Sequence, residues 1–221
     1  MLSGVSSAGA DNEISEKINF KMKFKKTVTI MGLGNPGEEY HNTPHNAGYE
    51  IVDMLMSALE NEGAEFKETE TKKTQYFVGK TKDRKVVLAK PLTFMNKSGL
   101  AVKELVDAKK LNPGSFILVH DDADIPTGSI RISYGSSSGG HKGVEDVIKK
   151  LKTKDFLRFR VGVGAAKRPK KRTKKQMNNL VVGKLGGKNK LSAKKSYKLC
   201  VDILQDAVIS GELSEQKNYK I

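Results

Sequence analysis

The sequence predicts a single three-layer α/β domain, with a mostly parallel, twisted mixed sheet flanked by helices. A chain of 221 residues without internal repeats is long enough to bury one substantial core. Apolar, β-branched runs alternate along it with segments whose apolar residues recur at helical spacing, as in a parallel sheet covered on both faces. We assign the domain to residues 27–221, and we expect residues 1–26, which are polar and aperiodic, to form a disordered extension.

The expected elements follow one another in this alternating order. Residues 27–34 read as a buried strand that ends in a glycine turn, and residues 47–60 as an amphipathic helix. The remaining elements, in chain order, are strands at 74–81 and 84–91, a helix at 100–111 that ends at Asn112, Pro113 and Gly114, strands at 115–120 and 129–134, a helix at 144–151, a strand at 157–164 and a helix at about 192–210.

The net charge of +15 is concentrated in one part of the chain. Residues 156–201 contain 15 Lys and Arg and no Asp or Glu, and the densest run, KRPKKRTKK at residues 167–175, suits a polyanion such as RNA. A solvated loop or a localisation signal would explain that run equally well. No apolar run is long enough to cross a bilayer, and the single Cys200 has no intramolecular partner. We therefore expect a soluble, cytoplasmic protein, with a mitochondrial location as the alternative.

Three glycines of the first turn, Gly32, Gly34 and Gly37, fit the dinucleotide-binding pattern G-x-G-x-x-G. That fold needs a helix that starts within the glycine loop, but Pro44 would then lie in its third turn, at a cost of about 3 kcal/mol. We expect the helix to begin later, with Thr43 as its N-cap and Pro44 at its first position, and we expect no dinucleotide cofactor.

Polar residues gather at four places where an expected strand ends. These candidates are Asn35, Asn96, the group His120, Asp121, Asp122 and Asp124, and His141. Each alone would be unremarkable, because Asn caps helices and Asp forms turns. Four in succession, where α/β sheets carry their sites, predict a functional centre.

Four motifs contain these residues: GNPGEEYHNTPHNAG at residues 34–48, TFMNKSG at 93–99, HDDADIPTG at 120–128 and GGHKG at 139–143. Together they resemble the signatures of bacterial-type peptidyl-tRNA hydrolases, and the similarity runs in order from about residue 27 to residue 164. The resemblance implies an esterase that cleaves the bond between the peptide and the 3′ ribose of peptidyl-tRNA, recycling tRNA from stalled or aborted translation. It implies no metal and no other cofactor, and we expect a monomer without membrane contact.

The resemblance also implies roles for individual residues. His45 would be the general base and Asp121 its partner, while Asn35 and Asn96 would hold the substrate and the attacking water. The residues expected to bind substrate or tRNA are Tyr40, Met95, His141, Lys142, Arg160 and Arg131.

The chemistry of these residue types suits ester hydrolysis. A neutral imidazole can take a proton from water, a carboxylate on its other nitrogen fixes the tautomer, and amide NH₂ groups can donate to an oxyanion. The positive end of the following helix disfavours the cation of His45, so we expect a base that is neutral at pH 7. His41 competes as the base, but it occupies a free position of the motif, and we interpret it as a surface residue.

The chain departs from the family pattern at three positions. Pro44 replaces an Arg, Lys142 replaces an Asn that touches the substrate, and Ser133 stands near where a Lys is expected to bind the tRNA 5′ phosphate. Arg131 or Lys142 would then substitute for that Lys, beside Arg160, which matches the other phosphate-binding position. The basic run at residues 167–175 could compensate.

Two other functions remain possible at this point. The first is a catalytically inactive RNA-binding protein of the same fold, similar to splicing cofactors. The second is a metal-dependent phosphodiesterase that uses Asp121, Asp122 and Asp124 to hold Mg²⁺. The complete set of Asn35, His45, Asn96 and Asp121 favours the hydrolase over both.

Overall fold

The computed structural model describes residues 21–24, 26–111, 116–165, 173–184, 186–214 and 218–220. Most of the expected N-terminal extension, the helix-ending turn at residues 112–114 and residues 167–172 of the basic run lie outside the described residues.

The described part contains ten strands and five α-helices. The strands are β1 (Lys21–Lys23), β2 (Thr27–Gly32), β3 (Glu65–Glu70), β4 (Thr74–Lys80), β5 (Lys85–Pro91), β6 (Phe116–Pro126), β7 (Ser129–Tyr134), β8 (Leu157–Gly164), β9 (Glu212–Ser214) and β10 (Asn218–Lys220). The helices are α1 (Ala47–Asn61), α2 (Ser98–Ala108), α3 (Lys142–Leu151), α4 (Lys174–Val182) and α5 (Gly187–Ser210). Short 3₁₀ turns lie at Glu38–Tyr40, Pro44–Asn46 and Met95–Lys97.

Eight of the strands form one mixed sheet in the order β10-β7-β8-β6-β2-β5-β4-β3. The four central strands, β8, β6, β2 and β5, are parallel, and the outer strands are antiparallel to their neighbours. The strands β3, β4 and β5 that follow β2 in the chain lie on one side of it within the sheet, and β6 lies on the other side. The carboxyl ends of β2 and β6 therefore lie side by side at a switch in strand order, where α/β sheets bind ligands.

Helices cover both faces of this sheet. On one face α1 and α5 pack against a core that includes Val28, Ile30 and Phe159, and on the other α2 and α3 pack against Met31, Leu118 and other buried residues. This arrangement confirms the predicted three-layer α/β fold with a mixed sheet. Within the described residues, the helices are all too short or too polar to span a membrane.

Several boundaries differ from the sequence-based expectation. The strand expected at 115–120 continues to Pro126, with a register shift against β8 between Asp122 and Pro126. Asp121 and Asp122 therefore lie within a strand, where His45 and His141 contact Asp121 and Arg160 pairs with Asp122. Within the described residues, β1 lies before Thr27, where the sequence led us to expect an extension, and it pairs with β9.

Candidate active site

Two glycines bring the start of α1 onto the end of β2. A Cβ atom at Gly48 would lie 2.5 Å from Leu33 O and 2.6 Å from Val119 O, and one at Gly32 would overlap Gly48 O. The helix itself begins at Ala47, well beyond the glycine turn. Gly32 is therefore required for close helix packing, and the helix starts beyond the glycine turn, as the sequence predicted.

This close approach places His45 beside the end of β6. His45 lies in the 3₁₀ turn before α1, after Thr43 in extended conformation and Pro44 at the first position. Its Nδ1 is 2.8 Å from Asp121 Oδ1, and only 15% of the His45 side chain and 1% of the Asp121 side chain are exposed. An ionised carboxylate accepts from Nδ1–H, so Nε2 carries a lone pair, and Nε2 makes no hydrogen bond within the described part of the chain.

Burial lowers the pKa of His45, but the charge of Asp121 and its hydrogen bond outweigh burial and leave that pKa above its ordinary value. The net shift of this pKa is therefore opposite to the one that the helix dipole alone would cause. Burial raises the pKa of Asp121, but His45 and His141 outweigh burial and hold it well below its usual range. The carboxylate stays ionised, and it favours the cation of its histidine partner.

His141 is a second partner of the same carboxylate oxygen. Its Nε2 lies 2.9 Å from Asp121 Oδ1, and its Nδ1 accepts a hydrogen bond of 3.2 Å from the Val144 backbone N–H, which caps α3. Because Nδ1 is an acceptor, the proton of the neutral ring is on Nε2, and it is donated to Asp121. The ring centroids of His45 and His141 lie 5.3 Å apart, and both rings contact the Asp121 carboxylate.

His120 supports Asp121 from within the sheet. Its Nδ1 lies 2.7 Å from the backbone oxygen of Asp121, and its ring meets the His141 ring edge-on at 4.7 Å between centroids. Burial, His141 and Arg158 hold the pKa of His120 well below its ordinary value. His120 is therefore a neutral, fully buried ring that fixes the backbone next to the carboxylate.

Asn35 is held at the end of β2 by hydrogen bonds that orient its amide. The backbone N–H of Met95 donates to Asn35 Oδ1 at 2.7 Å, and the NH₂ group has no hydrogen bond to another described residue. The Asn46 side chain accepts from Asn35 N–H at 2.8 Å and donates to Asn35 O at 3.0 Å. Asn46, the neighbour of His45, therefore couples the two turns.

The other residues of these turns lie closer to the surface. Met95 is buried, whereas Asn96, on the same 3₁₀ turn, is exposed, and its side chain has no hydrogen bond to another described residue. The Tyr40 ring packs edge-on against Phe94, which is exposed, at 6.3 Å between centroids. Aromatic surface therefore borders the turn that carries Asn96. His41 is exposed and lies 3.4 Å from Glu38, as expected for a surface residue.

The expected phosphate-binding arginines lie on neighbouring strands. Arg160 on β8 is in register with the exposed Arg131 on β7, and it binds Asp122 Oδ2 through Nε and Nη2, both at 2.7 Å. The charge of Arg160 is therefore already paired with a carboxylate. Arg158, which sequence reasoning missed, is fully buried, and its Nη2 donates to Ser137 O at 2.9 Å. Burial and the nearby Arg160 lower the pKa of Arg158 to about 10.

A cavity of about 240 Å³ opens beside these groups. It is lined by His45, Asp121, Asp122, Ala123, Asp124, Gly139, Gly140, His141, Lys142 and Val181. Lys142 is exposed at the rim, 3.0 Å from Glu145, and Val181 reaches the cavity from α4. The cavity therefore borders both His45 and Asp121.

Within the part of the chain that the structure describes, one group of side chains has the spacing of a metal site. It consists of His45, Asp121 and His141, whose ligand atoms lie within 4.8 Å of one another. A neutral His141 could bind a metal through Nε2 only with its proton on Nδ1, where it would face the Val144 N–H donor. The geometry fits a hydrogen-bonded triad better than a metal site. Asp122 is paired with Arg160, which also disfavours the three-aspartate magnesium site.

Sequence reasoning missed Asn46, His120 and Arg158 as parts of the site. Asn46 and His120 stand inside the quoted motifs, directly beside His45 and Asp121, and this adjacency was the available signal. Arg158 carried no such signal, because a lone arginine in an apolar strand does not reveal that its guanidinium is buried.

Comparisons with known proteins agree with this geometry. Residues 29–220 match the peptidyl-tRNA hydrolase family. The peptidyl-tRNA hydrolase of Prochlorococcus marinus (strain MIT 9515) is 35% identical over 187 residues, covering 84% of this chain and 92% of the relative. That of Aquifex aeolicus (strain VF5) is 45% identical over 143 residues, covering 65% and 71%.

A crystal structure of peptidyl-tRNA hydrolase from Acinetobacter baumannii superposes with a TM-score of 0.74 at 27% identity. The superposition covers 86% of this chain and 92% of that structure. The chain belongs to the peptidyl-tRNA hydrolase family.

Proposed function

We propose that this protein hydrolyses the ester bond between the peptide and the 3′ ribose of peptidyl-tRNA, with His45 as the general base. The observation that carries the proposal is the 2.8 Å contact between His45 Nδ1 and the buried, ionised Asp121. It leaves Nε2 free to take a proton at the edge of the cavity. Family membership supports the reaction, and this contact supports the role of His45.

In the first step, His45 Nε2 takes a proton from water while the water oxygen attacks the ester carbonyl carbon. Asp121 stabilises the imidazolium that forms. The carbonyl oxygen becomes an oxyanion, and the free NH₂ group of Asn35 is suited to donate to it. Asn96, which is exposed on the neighbouring turn, would contact the substrate or the water.

In the second step, the tetrahedral intermediate collapses and the bond to the ribose 3′ oxygen breaks. The protonated His45 Nε2 returns its proton to that oxygen. The products are a deacylated tRNA and a peptide with a free carboxyl group, which loses the second proton of the water to solvent, and His45 is neutral again. Tyr40 and Phe94 offer ring faces for the unpaired 3′ end of the tRNA, since bases stack on aromatic side chains.

The decisive assay is cleavage of N-acylated aminoacyl-tRNA, with unacylated aminoacyl-tRNA as the substrate control. His45→Ala should abolish cleavage while tRNA binding is retained. The matched control is His41→Ala, which removes an exposed histidine from the same loop and should leave the rate unchanged. Full activity of His45→Ala would exclude His45 as the base.

The same assay separates the alternatives. Cleavage should persist in excess EDTA, whereas loss of activity on chelation would favour a metal-dependent reaction. Wild-type protein that binds RNA tightly without cleaving the ester would favour the inactive RNA-binding alternative. A monomeric state and a cytoplasmic location complete the proposal, and gel filtration and cell fractionation would test them.

A further inference from the structure

One face of helix α5 carries positive charge for which the proposed chemistry has no use. We define the α5 lysine face as Lys188, Lys190, Lys194 and Lys195, all of which are exposed. The helix has no acidic residue until Asp202, which pairs with Lys198 at 3.0 Å and ends the uncompensated stretch. Folding alone does not require this charge, because the helix is anchored by its buried side chains, among them Tyr197, Cys200 and Leu204.

The α5 lysine face lies at the edge of the sheet that holds the active site. Lys190 and Lys194 share a small cavity with Asn42 and Glu50, and Asn42 lies in the turn that leads to His45. The far end of α5 lies at the opposite edge, where Arg84 donates to Ile209 O at 2.6 Å just before β5 begins. The helix therefore points its lysine-rich end toward the side from which substrate reaches His45.

Most of this charge is available to a partner. Glu50 is the acid that lies with Lys190 and Lys194, and it is half-buried. Lys188 and Lys195 form no ion pair with any residue that the structure describes. At a rise of about 1.5 Å per residue, the face extends for about 10 Å, comparable to about three phosphates along one strand of a duplex.

We propose that the α5 lysine face binds the sugar-phosphate backbone of the tRNA body while the acylated 3′ end lies at His45. The inference rests on the proposed function, and it adds a second contact region outside the catalytic cavity. Flexible ammonium groups suit this task, because contacts to phosphates position a nucleic acid without reading its sequence. The paired state of Arg160 makes such an additional source of positive charge useful.

The test replaces the four lysines together, Lys188→Gln, Lys190→Gln, Lys194→Gln and Lys195→Gln, in the full chain. With full-length N-acetyl-aminoacyl-tRNA we expect KM to rise about tenfold or more at low salt, with kcat unchanged. Each lost phosphate contact should reduce the slope of log affinity against log salt by about 0.9. A short substrate, an N-acetyl-aminoacyl CCA trinucleotide, should be cleaved at the wild-type kcat/KM.

Two further variants control for charge and folding. Lys→Arg at the same four positions keeps the charge and should restore KM. The second variant removes the same charge from four exposed positions near the β3 edge of the sheet and should have little effect on KM. It carries Lys67→Gln, Lys72→Gln, Lys80→Gln and Lys82→Gln. An equal KM increase in this remote variant would overturn the proposal, as would an unchanged KM in the α5 variant.

Direct binding keeps the inference separate from the proposed reaction. The affinity of deacylated tRNA, measured by fluorescence anisotropy, should fall in the α5 variant even if the wild-type protein cleaved no ester. Wild-type affinity in the α5 variant would refute the lysine face and leave the hydrolase proposal standing. If the wild-type protein cleaved no ester but bound tRNA through these lysines, the hydrolase proposal would be refuted and the lysine face would stand.

Discussion

Replacing Asp121 by Asn should slow catalysis and move the acidic limb of the pH–rate profile to lower pH. Asn is nearly isosteric with Asp, and its Oδ1 can still accept from His45 Nδ1, which lies 2.8 Å from the native oxygen. The substitution therefore removes the charge while keeping the acceptor. The proposed base works only when neutral, so the rate rises as the pH passes through the pKa of His45, which lies above its ordinary value in the native protein.

The size of the shift follows from the geometry. An opposite charge within about 4–6 Å changes a pKa by about 1–3 units, and the two groups here are closer and largely buried. Burial, which lowers the pKa of His45, persists in the variant, so the acidic limb should fall by about 1–3 units. At about 1.4 kcal/mol per unit, the imidazolium that forms in the transition state loses about 1.4–4 kcal/mol, which lowers kcat about 10- to 1000-fold.

The assay is kcat/KM for N-acetyl-aminoacyl-tRNA between about pH 5 and pH 9, because this parameter reports the pKa of the free enzyme's base. Thermal unfolding of the variant would show that the fold is retained. An acidic limb that stays in place, or that moves to higher pH, would show that Asp121 does not set the pKa of the base. A shifted limb with an unchanged kcat would separate the electrostatic effect from catalysis and refute the second half of the reasoning.

Three other substitutions test separate parts of the structure. Asn35→Asp keeps the oxygen that binds the Met95 N–H but loses the NH₂ donor, so kcat should fall about 100- to 1000-fold, and a wild-type rate would remove Asn35 from the oxyanion contact. Gly48→Ala puts a Cβ atom 2.6 Å from Val119 O, and overpacking of about 1–3 kcal/mol should lower Tm by several degrees in a melting experiment, whereas an unchanged Tm would contradict the close packing. Tyr197→Phe removes a buried hydroxyl that has no hydrogen-bond partner among the described residues, so calorimetry should show equal or higher stability, and a clear loss would indicate a bond to that hydroxyl.

The elements with strong hydrophobic patterns could be predicted from the sequence, and the charged ones could not. The helix expected at 47–60 is α1 (Ala47–Asn61), and the strand expected at 129–134 is β7 with the same bounds. β3 was missed because EFKETE is mostly charged, and the sheet accepts it only because it is an edge strand with one antiparallel neighbour. α4 was missed because it starts within the lysine-rich run, and its start depends on the capping box of Thr173 and Gln176.

For the candidate site, the sequence indicated which loops meet but not how their side chains are bonded. Parallel strands bring their carboxyl ends to one edge, so Asn35 was expected near Asp121, and the family resemblance implied that His45 is the partner of Asp121. Asp121 was expected in a loop, yet β6 continues through it, because His45, His141 and the buried His120 satisfy its polar groups inside the sheet. Such tertiary compensation has no signature in a single sequence.

The shared carboxylate oxygen determines where a proton from water would come to rest. His141 donates to Asp121 Oδ1 in a tautomer held by the Val144 N–H, and this donation stabilises the ionised carboxylate. With two histidines as partners, the pKa of Asp121 lies well below its usual range, whereas that of His45 is raised. A proton taken by His45 therefore stays on its ring and does not pass to Asp121. It remains beside the cavity, where the departing ribose oxygen can recover it. His141 therefore contributes to the proposed reaction by keeping Asp121, the partner of His45, ionised.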